Sequence, residues 1–133
     1  MPPASRIAIR LQLSSGPASI PLLRVHQVAP YATLTGTPDD YFLGWLTFHG
    51  HPVPVFDLNR VVCDQPTAET FGTRILLVES APGISQPLVG LLAAGLTDTI
   101  SGTPDPAIQA IELDLYLAML YPFIPEPPTA VAA

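Results

Sequence analysis

The three histidines are the first residues of this sequence that could do chemistry, because imidazole is a common ligand of zinc. His49 and His51 are two residues apart, so they would share one face of a regular strand, whereas His26 is distant in sequence. A closed zinc site takes four ligands and a catalytic site usually takes three from the protein. We therefore expect no metal and no cofactor, and we expect these histidines at strand ends and turns, partly exposed.

The nucleophilic side chains also fail to form a catalytic set. Cys63 has no Lys or His within three positions that could stabilise a thiolate, which predicts a buried structural thiol. The serines near the first turn lack the Gly-x-Ser-x-Gly elbow of a hydrolase. Gly90 and Gly95 lie within apolar, strand-like sequence and do not form a phosphate loop. The sequence therefore predicts a protein without catalytic residues, which is not an enzyme.

Charge and composition exclude further classes. The net charge is −6, and all five basic residues are Arg, whereas binding to nucleic acid needs clusters of cations. Apolar residues make up 48% and charged residues 12% of the chain, which favours apolar surface for a partner to cover. The lone Cys63 suits a reducing compartment, and the first residues lack the apolar segment of a signal peptide. The longest apolar run, 88–96, falls short of the roughly 20 residues of a membrane helix. We expect a cytoplasmic protein without membrane insertion.

The elements that would position these residues are short strands, because 17 prolines and 9 glycines interrupt the chain. Ile7 to Leu13 alternates apolar and polar residues as a half-buried strand does. Two apolar runs around the His49–Pro52 turn predict a hairpin, and Asp57 is expected to cap a helical turn through Val62. Further strands are predicted over 20–28 (with Pro21 favouring an edge position), 74–79 and 88–100, and loops over 33–40, 64–72 and 81–87. At least six short strands indicate a small barrel or sandwich.

The segment 108–120 fits two periods at once. Ile111, Leu113, Leu115 and Leu117 alternate as in a strand, but Ile111, Leu115 and Met119 also lie near helical spacing. We predict a strand leading into a short helical turn. The Pro- and Ala-rich residues 123–133 are predicted to form a flexible tail.

Two segments form a recognisable pair, IPLLRVHQV over 20–28 and YFLGWLTFHGHPVPVFDLNRVV over 41–62. They resemble the signature of the CheW-like family, in which A-L-P-L-x-x-V-x-E-V precedes G-x-x-x-x-R-G-x-x-x-P-V-x-D-L. The matching positions are Pro21, Val25, Val28, Gly44, Gly50, Pro54, Val55, Asp57 and Leu58. The later segments RILLVE over 74–79 and LVGLLAAGLTDTI over 88–100 are similar to the family's I-L-V-V and G-L-x-V-D-x-V-x-x-V. The resemblance covers about residues 6–100.

The resemblance implies an all-β fold of two interlocked, five-stranded barrels of the SH3 or OB type in one domain, 1–122. The first barrel would comprise about 20–72, and the second 6–19 with 73–122. It also implies a non-catalytic adaptor that couples the regulatory domain of a CheA-type histidine kinase to the cytoplasmic tips of chemoreceptors. The array would serve chemotaxis or a related surface-sensing or pilus pathway. The alternative is a small-ligand-binding β-barrel outside chemosensory signalling. An oligonucleotide-binding barrel is disfavoured by the acidity and the absence of Lys.

The resemblance also assigns site residues. The partner-binding residues would be Val25, Gln27 and Val28 on a docking strand, together with Gly44, His49, Gly50 and Arg60; Asp57 and Pro54 would be structural. Gly44 is expected where the backbone passes close to the core or to a partner.

This chain departs from the family pattern in three ways. The family's Arg before Gly is His49, which lacks a permanent charge and a fork of donors, and the Glu of V-x-E-V is Gln27. The chain is also short after Ile100, so the resemblance predicts a second barrel that is either incomplete or completed by another subunit in a homo-oligomer.

Overall fold

The computed structural model describes residues 7–30, 32–38, 41–67, 73–79, 88–96, 99–101 and 106–125. Over these ranges the strands are β1 (Ile7–Leu13), β2 (Gly16–Pro21), β3 (Val25–Pro30), β4 (Phe42–Phe48), β5 (His51–Asp57), β6 (Arg74–Glu79), β7 (Leu88–Ala93), β8 (Thr99–Ser101) and β9 (Gln109–Ala110). The helices are α1 (Leu58–Cys63) and α2 (Leu113–Leu120), with 3-10 turns at Leu22–Arg24 and Tyr121–Phe123. None of the helices in these ranges is long and apolar enough to span a bilayer.

The strands form two sheets, and this confirms the predicted fold class. One sheet has the order β8-β1-β2-β9 and the other the order β3-β6-β7-β5-β4. The five-stranded sheet curls until its two edge strands, β3 and β4, approach each other. The rings of His26 on β3 and Phe48 on β4 consequently lie 5.9 Å apart. The described strands do not close this curl with a hydrogen-bonded ladder. Strands β6 and β7 pair within this sheet, whereas residues 73–122 were predicted to belong to the other barrel.

Two clusters of buried side chains occupy the two faces of the five-stranded sheet. The shared core lies between the two sheets and the helices, and the inner core lies inside the curl. Strand β6 supplies both, with Leu76 and Val78 in the shared core and Ile75 and Leu77 in the inner core. A strand that is buried on both faces needs apolar residues at every position. This explains why the four central residues of RILLVE, 75–78, form a continuous apolar run.

The predicted strand over 20–28 is interrupted. β2 ends at Pro21, whose ring removes the N–H that a continuing ladder would use. The 3-10 turn Leu22–Arg24 then redirects the chain from the first sheet into the second. Arg24 fixes this crossing, because Nη2 donates to the carbonyl oxygen of Glu79 at 2.9 Å and Nη1 lies 2.8 Å from Oδ1 of Asp114. The run 88–100 likewise divides into β7 and β8, and the predicted turn 81–87 lies outside the described residues.

The segment 108–120 was predicted as a strand leading into a short helical turn, but its strand is only β9 (Gln109–Ala110), and α2 occupies most of the rest at Leu113–Leu120. Leu113, Leu117 and Leu120 lie on one helical face and enter the shared core, whereas Leu115 is 66% exposed. Burial of these three positions selects the 3.6-residue period over the two-residue period. After α2 the chain continues into the second 3-10 turn, where the ring of Phe123 lies 5.4 Å from Tyr41. The rest of the predicted tail, 126–133, lies outside the described residues.

Candidate partner-binding surface

Strand β3 carries three successive exposed side chains at the edge of the five-stranded sheet. The side chains of a regular strand alternate between its two faces. In the pairing of β3 with β6, Val25 lies opposite Val78 and Gln27 lies opposite the next residue, Leu77, so β3 has one residue more than β6 at this point. His26 is therefore the extra residue of a β-bulge, and His26, Gln27 and Val28 are all exposed. Val25 is half-buried against the shared core. Bulges re-aim side chains at sheet edges and beside functional sites, so residues 26–28 form an accessible patch.

The hairpin between β4 and β5 is tighter than predicted. Its turn contains only His49 and Gly50, and β5 already begins at His51. Both turn residues have positive φ, 52° at His49 and 80° at Gly50. Two-residue hairpin turns of type I′ require this conformation because it matches the right-handed twist of the strands. His49 is consequently held at the outermost point of the hairpin, exposed to solvent.

Two of the three histidines contact the ring of Phe48, and the third lies opposite Phe48 on the neighbouring strand. His26 contacts Phe48 edge-on, His49 lies 4.2 Å from it between ring centroids, and His51 is its cross-strand partner. This contact joins residues 26–28 to residues 48–51, which are far apart in sequence. We call these seven residues the hairpin–edge surface. The histidines do not form a metal site, since within the described ranges no three His, Cys, Asp or Glu side chains converge as ligands would.

The other predicted site residues lie away from this surface. Gly44 and Pro54 are buried in the body of the hairpin. Arg60 follows the far end of β5, about 20 Å along the strand from the turn at 3.3 Å per residue. Its Nε lies 3.5 Å from Oδ1 of Asp64, an ion pair at the limit of hydrogen-bond distance. The predicted partner-binding residues therefore form two groups, and Arg60 belongs to the second.

Asp57 caps α1, as its position before a helical turn predicted. It is 5% exposed and accepts a hydrogen bond from the backbone N–H of Arg60 at Oδ1. The backbone N–H of Thr67 donates to Oδ2 at 2.9 Å, and the Thr67 hydroxyl donates to Oδ1. This carboxylate therefore holds the segment after α1 onto the sheet.

Asn59 is a structural residue that the sequence analysis missed. Its Oδ1 accepts from the backbone N–H of Ser14 at 2.9 Å, and its Nδ2 donates to Ser14 Oγ and to the carbonyl oxygen of Pro66. Asn59 therefore ties the β1–β2 turn of one sheet to α1, which follows a strand of the other sheet. The sequence offered one sign of this role, an Asn inside a predicted helical turn, since Asn is unfavourable there without a partner.

Cys63 was predicted to be a buried thiol, but it is half-buried, and its Sγ lies 3.3 Å from Ser15 Oγ.

An open cavity of about 690 Å³ lies beneath the segment 32–38, with Leu43, Asp57, Thr67 and Leu92 in its wall. Small-ligand sites combine apolar walls with a few convergent polar groups that are free to bind. Here the carboxylate of Asp57 already accepts three hydrogen bonds from the protein. The cavity therefore offers a ligand little polar recognition, and it does not favour the small-ligand alternative.

Comparison with known proteins settles the family. The family model of the CheW-like domain matches residues 9–116. The chain belongs to the CheW-like domain family. Among solved structures, the scaffolding protein TtCheW from Thermoanaerobacter tengcongensis superimposes with a TM-score of 0.70 at 18% identity, covering 86% of this chain and 89% of that chain. None of the curated proteins matches the sequence.

The CheW-like match extends beyond the segments on which the resemblance was recognised. It continues past residue 100 to residue 116 and so includes the start of α2. The Leu113 side chain of α2 packs into the shared core with β1 and β2. The C-terminal helix is thus part of the CheW-like unit in this chain.

Replacing Asn59 with alanine is expected to lower the free energy of unfolding by about 2 kcal/mol. Three part-buried hydrogen bonds of the Asn59 side chain are lost, each of which contributes about 0.5–1.5 kcal/mol. The higher helix propensity of alanine offsets about 0.5 kcal/mol of this. Urea denaturation measures the change. Ser14→Ala is the matched control, because it removes only the hydroxyl partner; an equal loss in both variants would contradict the central role of Asn59.

Proposed function

We propose that this CheW-like protein is a non-catalytic, cytoplasmic adaptor of a bacterial chemosensory array. It binds the regulatory domain of a CheA-type histidine kinase and couples it to the cytoplasmic tip of chemoreceptors. Family membership supports a scaffolding role of this kind. TtCheW, which has the same fold, is itself described as a scaffolding protein.

One observation carries the proposal. Gln27 and Val28 belong to one family segment, and His49 and Gly50 belong to the other, some twenty residues later. The contact between His26 and Phe48 brings both segments to the same hairpin–edge surface. Residues of separate motifs that meet on an accessible surface, rather than in the core, are better explained by a shared partner than by packing.

The chemistry of this surface suits a protein partner. Val28 is 39% exposed and Phe48 is partly exposed, so the centre is apolar, and the surrounding imidazoles and the Gln27 amide are polar. An apolar centre with a polar rim is the usual anatomy of a transient interface. His49 and Gln27 replace an Arg and a Glu of the family pattern, so less of the association rate comes from electrostatic steering. We assign the hairpin–edge surface to kinase docking, and Arg60 to the outer part of a wider interface.

Titration of the regulatory domain of the CheA-type kinase from the same organism tests this proposal. We expect wild-type protein to bind with micromolar affinity by isothermal titration calorimetry. Val28→Gln is expected to weaken binding at least tenfold, because it removes an apolar contact at the centre of the interface. Leu23→Gln is the matched control and is expected to leave the affinity unchanged, since Leu23 is an exposed apolar residue (76%) outside the surface.

The receptor contact is tested with the same proteins and a soluble receptor hairpin. We expect weak binding by wild type and at least threefold tighter binding by the Gln27→Glu, His49→Arg double variant, which restores both charges of the family pattern. If none of these forms binds the kinase domain at several hundred micromolar, the coupling assignment is wrong. Equal losses in Val28→Gln and Leu23→Gln would instead refute the placement of the interface.

A further inference from the structure

Helix α2 has an apolar outer face. Its inner face packs into the shared core through Leu113, Leu117 and Leu120. On the outer face Leu115 is 66% and Met119 is 42% exposed, with the exposed Ala118 beside them. A surface helix normally has polar residues on the face that meets water. Asp114 is the only charged residue within α2, so this helix resembles a buried helix with one neighbour missing.

The exposed side chains form a ridge that is already in place before any partner binds. Leu115 and Met119 are four residues apart and therefore lie one above the other on the helix. Phe123, which is 41% exposed, lies one further turn along and is fixed by its ring contact with Tyr41. The start of the helix is anchored by the ion pair between Arg24 and Asp114. We call Leu115, Met119 and Phe123 the α2 ridge.

Arg24 neutralises Asp114 within α2, and the charge of Glu112 beside it is negative. Glu112 is exposed at the start of α2, and its side chain makes no capping hydrogen bond. The last turn of α2 contains no basic residue, so the partial negative charge of the helix C-terminus has no cation of this helix near it. The chain as a whole carries −6 and has no Lys. Basic residues of a partner would therefore meet a negative charge at the start of the ridge and the partial negative charge of the helix C-terminus at its end.

We infer that the α2 ridge is a second docking surface, and that its partner is an amphipathic helix with basic residues flanking an apolar stripe. Side chains spaced at i and i+4 fit the groove between the ridges of a facing helix. A second copy of this chain fits less well. Two copies of this chain each carry a net charge of −6 and repel each other, whereas a basic helix is attracted. The two surfaces are centred on different elements, the hairpin–edge surface on β3 and the β4–β5 turn and this one on α2, and the ion pair between Arg24 and Asp114 joins the start of α2 to the residue before β3.

A pair of synthetic peptides tests the inference on the full chain. One peptide carries leucines on one helical face with lysines on both flanks, and its twin carries glutamates in place of the lysines. By fluorescence anisotropy we expect the lysine peptide to bind with an affinity of tens of micromolar and the glutamate twin at least tenfold more weakly. The Leu115→Gln, Met119→Gln double variant should lose at least tenfold in affinity for the lysine peptide. Glu112→Gln should lose two- to threefold and show a smaller salt dependence.

Val28→Gln is the matched control, because Val28 is about as exposed as Met119 but lies on the other surface. We expect it to bind the lysine peptide like wild type while losing affinity for the kinase domain. A failure of the proposed kinase docking can then be distinguished from a failure of the proposed docking at the α2 ridge. Circular dichroism establishes that each variant is folded. Equal binding of the peptide by wild type and the double variant would overturn the inference. So would light scattering that shows a wild-type dimer and a monomeric double variant, since the ridge would then be an interface between two copies.

Discussion

Replacing Asp57 with alanine is expected to lower the free energy of unfolding by about 3–4 kcal/mol. Loss of the helix cap accounts for about 1 kcal/mol. The buried backbone N–H of Thr67 loses its only described acceptor, which costs about 1–3 kcal/mol. The Thr67 hydroxyl loses its bond to the carboxylate but still reaches the carbonyl oxygen of Leu92 at 3.4 Å, so it contributes less. Urea denaturation with an unchanged m-value measures the loss.

Two variants control this prediction. Asp57→Asn keeps an oxygen for the cap but presents an amide N–H₂ to Thr67, so we expect about half the loss, since one buried donor is left unpaired at a cost of about 1–3 kcal/mol. Glu112 is also an acidic residue at a helix N-terminus, but it makes no capping bond. Glu112→Ala is therefore expected to change stability by less than about 0.5 kcal/mol, as surface substitutions usually do. A loss at Glu112 as large as that at Asp57 would show that helix charge, rather than the buried hydrogen bonds, determines the effect.

Asp57 also shows what local sequence can predict. An acidic residue that ends an apolar strand and precedes a helical turn has few alternatives to capping it, and the cap is present. The alternation predicted from Ile7 to Leu13 holds from Ile9 onward: Ile9, Leu11 and Leu13 are buried and the residues between them are not, whereas Ile7 is exposed. Both features depend on neighbours within a few residues. The family resemblance supplied the rest of the fold class, because local patterns do not specify which strands pair.

The segment from Ile111 to Leu120 shows where local pattern fails. Its apolar residues satisfy both the strand and the helix period, so the choice depends on what lies beneath them. The shared core accepts Leu113, Leu117 and Leu120 together, and only a helix presents these three on one face. The bulge at His26 escaped prediction for a similar reason. It is defined by the register against β6, some fifty residues later in the chain.

The candidate surface was predictable only in part. The resemblance named Gln27, Val28, His49 and Gly50, but nothing in their spacing indicated that they meet. Their meeting follows from the curl of the five-stranded sheet, which brings β3 to β4 although they are its opposite edges. The same geometry separates Arg60 from them. Local pattern and family resemblance thus named candidates one by one, whereas the sheet order determines which of them share a surface.

Replacing Gly44 with alanine is expected to destabilise the protein by about 3 kcal/mol. Gly44 was expected to lie where the backbone passes close to other atoms, and an added Cβ would lie 2.7 Å from Leu34 Cβ and 2.8 Å from the carbonyl oxygen of Thr35. Its φ of 145° is also unfavourable for any other residue, which costs about 1–3 kcal/mol. To relieve the clash the segment 34–35 must leave β4. The two backbone hydrogen bonds between Thr35 and Trp45 would then break, at about 1 kcal/mol each.

The chain offers a built-in readout and a matched control for this prediction. Trp45 is the only tryptophan, it is 5% exposed, and Gly36 of the same segment lies against its ring. Its fluorescence in folded Gly44→Ala should therefore shift to longer wavelength as the segment lifts away and water reaches the indole. Gly50 also has a positive φ, but nothing lies within 4 Å of an added Cβ. Gly50→Ala should cost only the conformational strain, about 1 kcal/mol, without a shift in emission. Equal losses at the two glycines, or an unshifted Gly44→Ala spectrum, would mean that backbone conformation alone, and not contact with the segment 34–35, requires glycine at position 44.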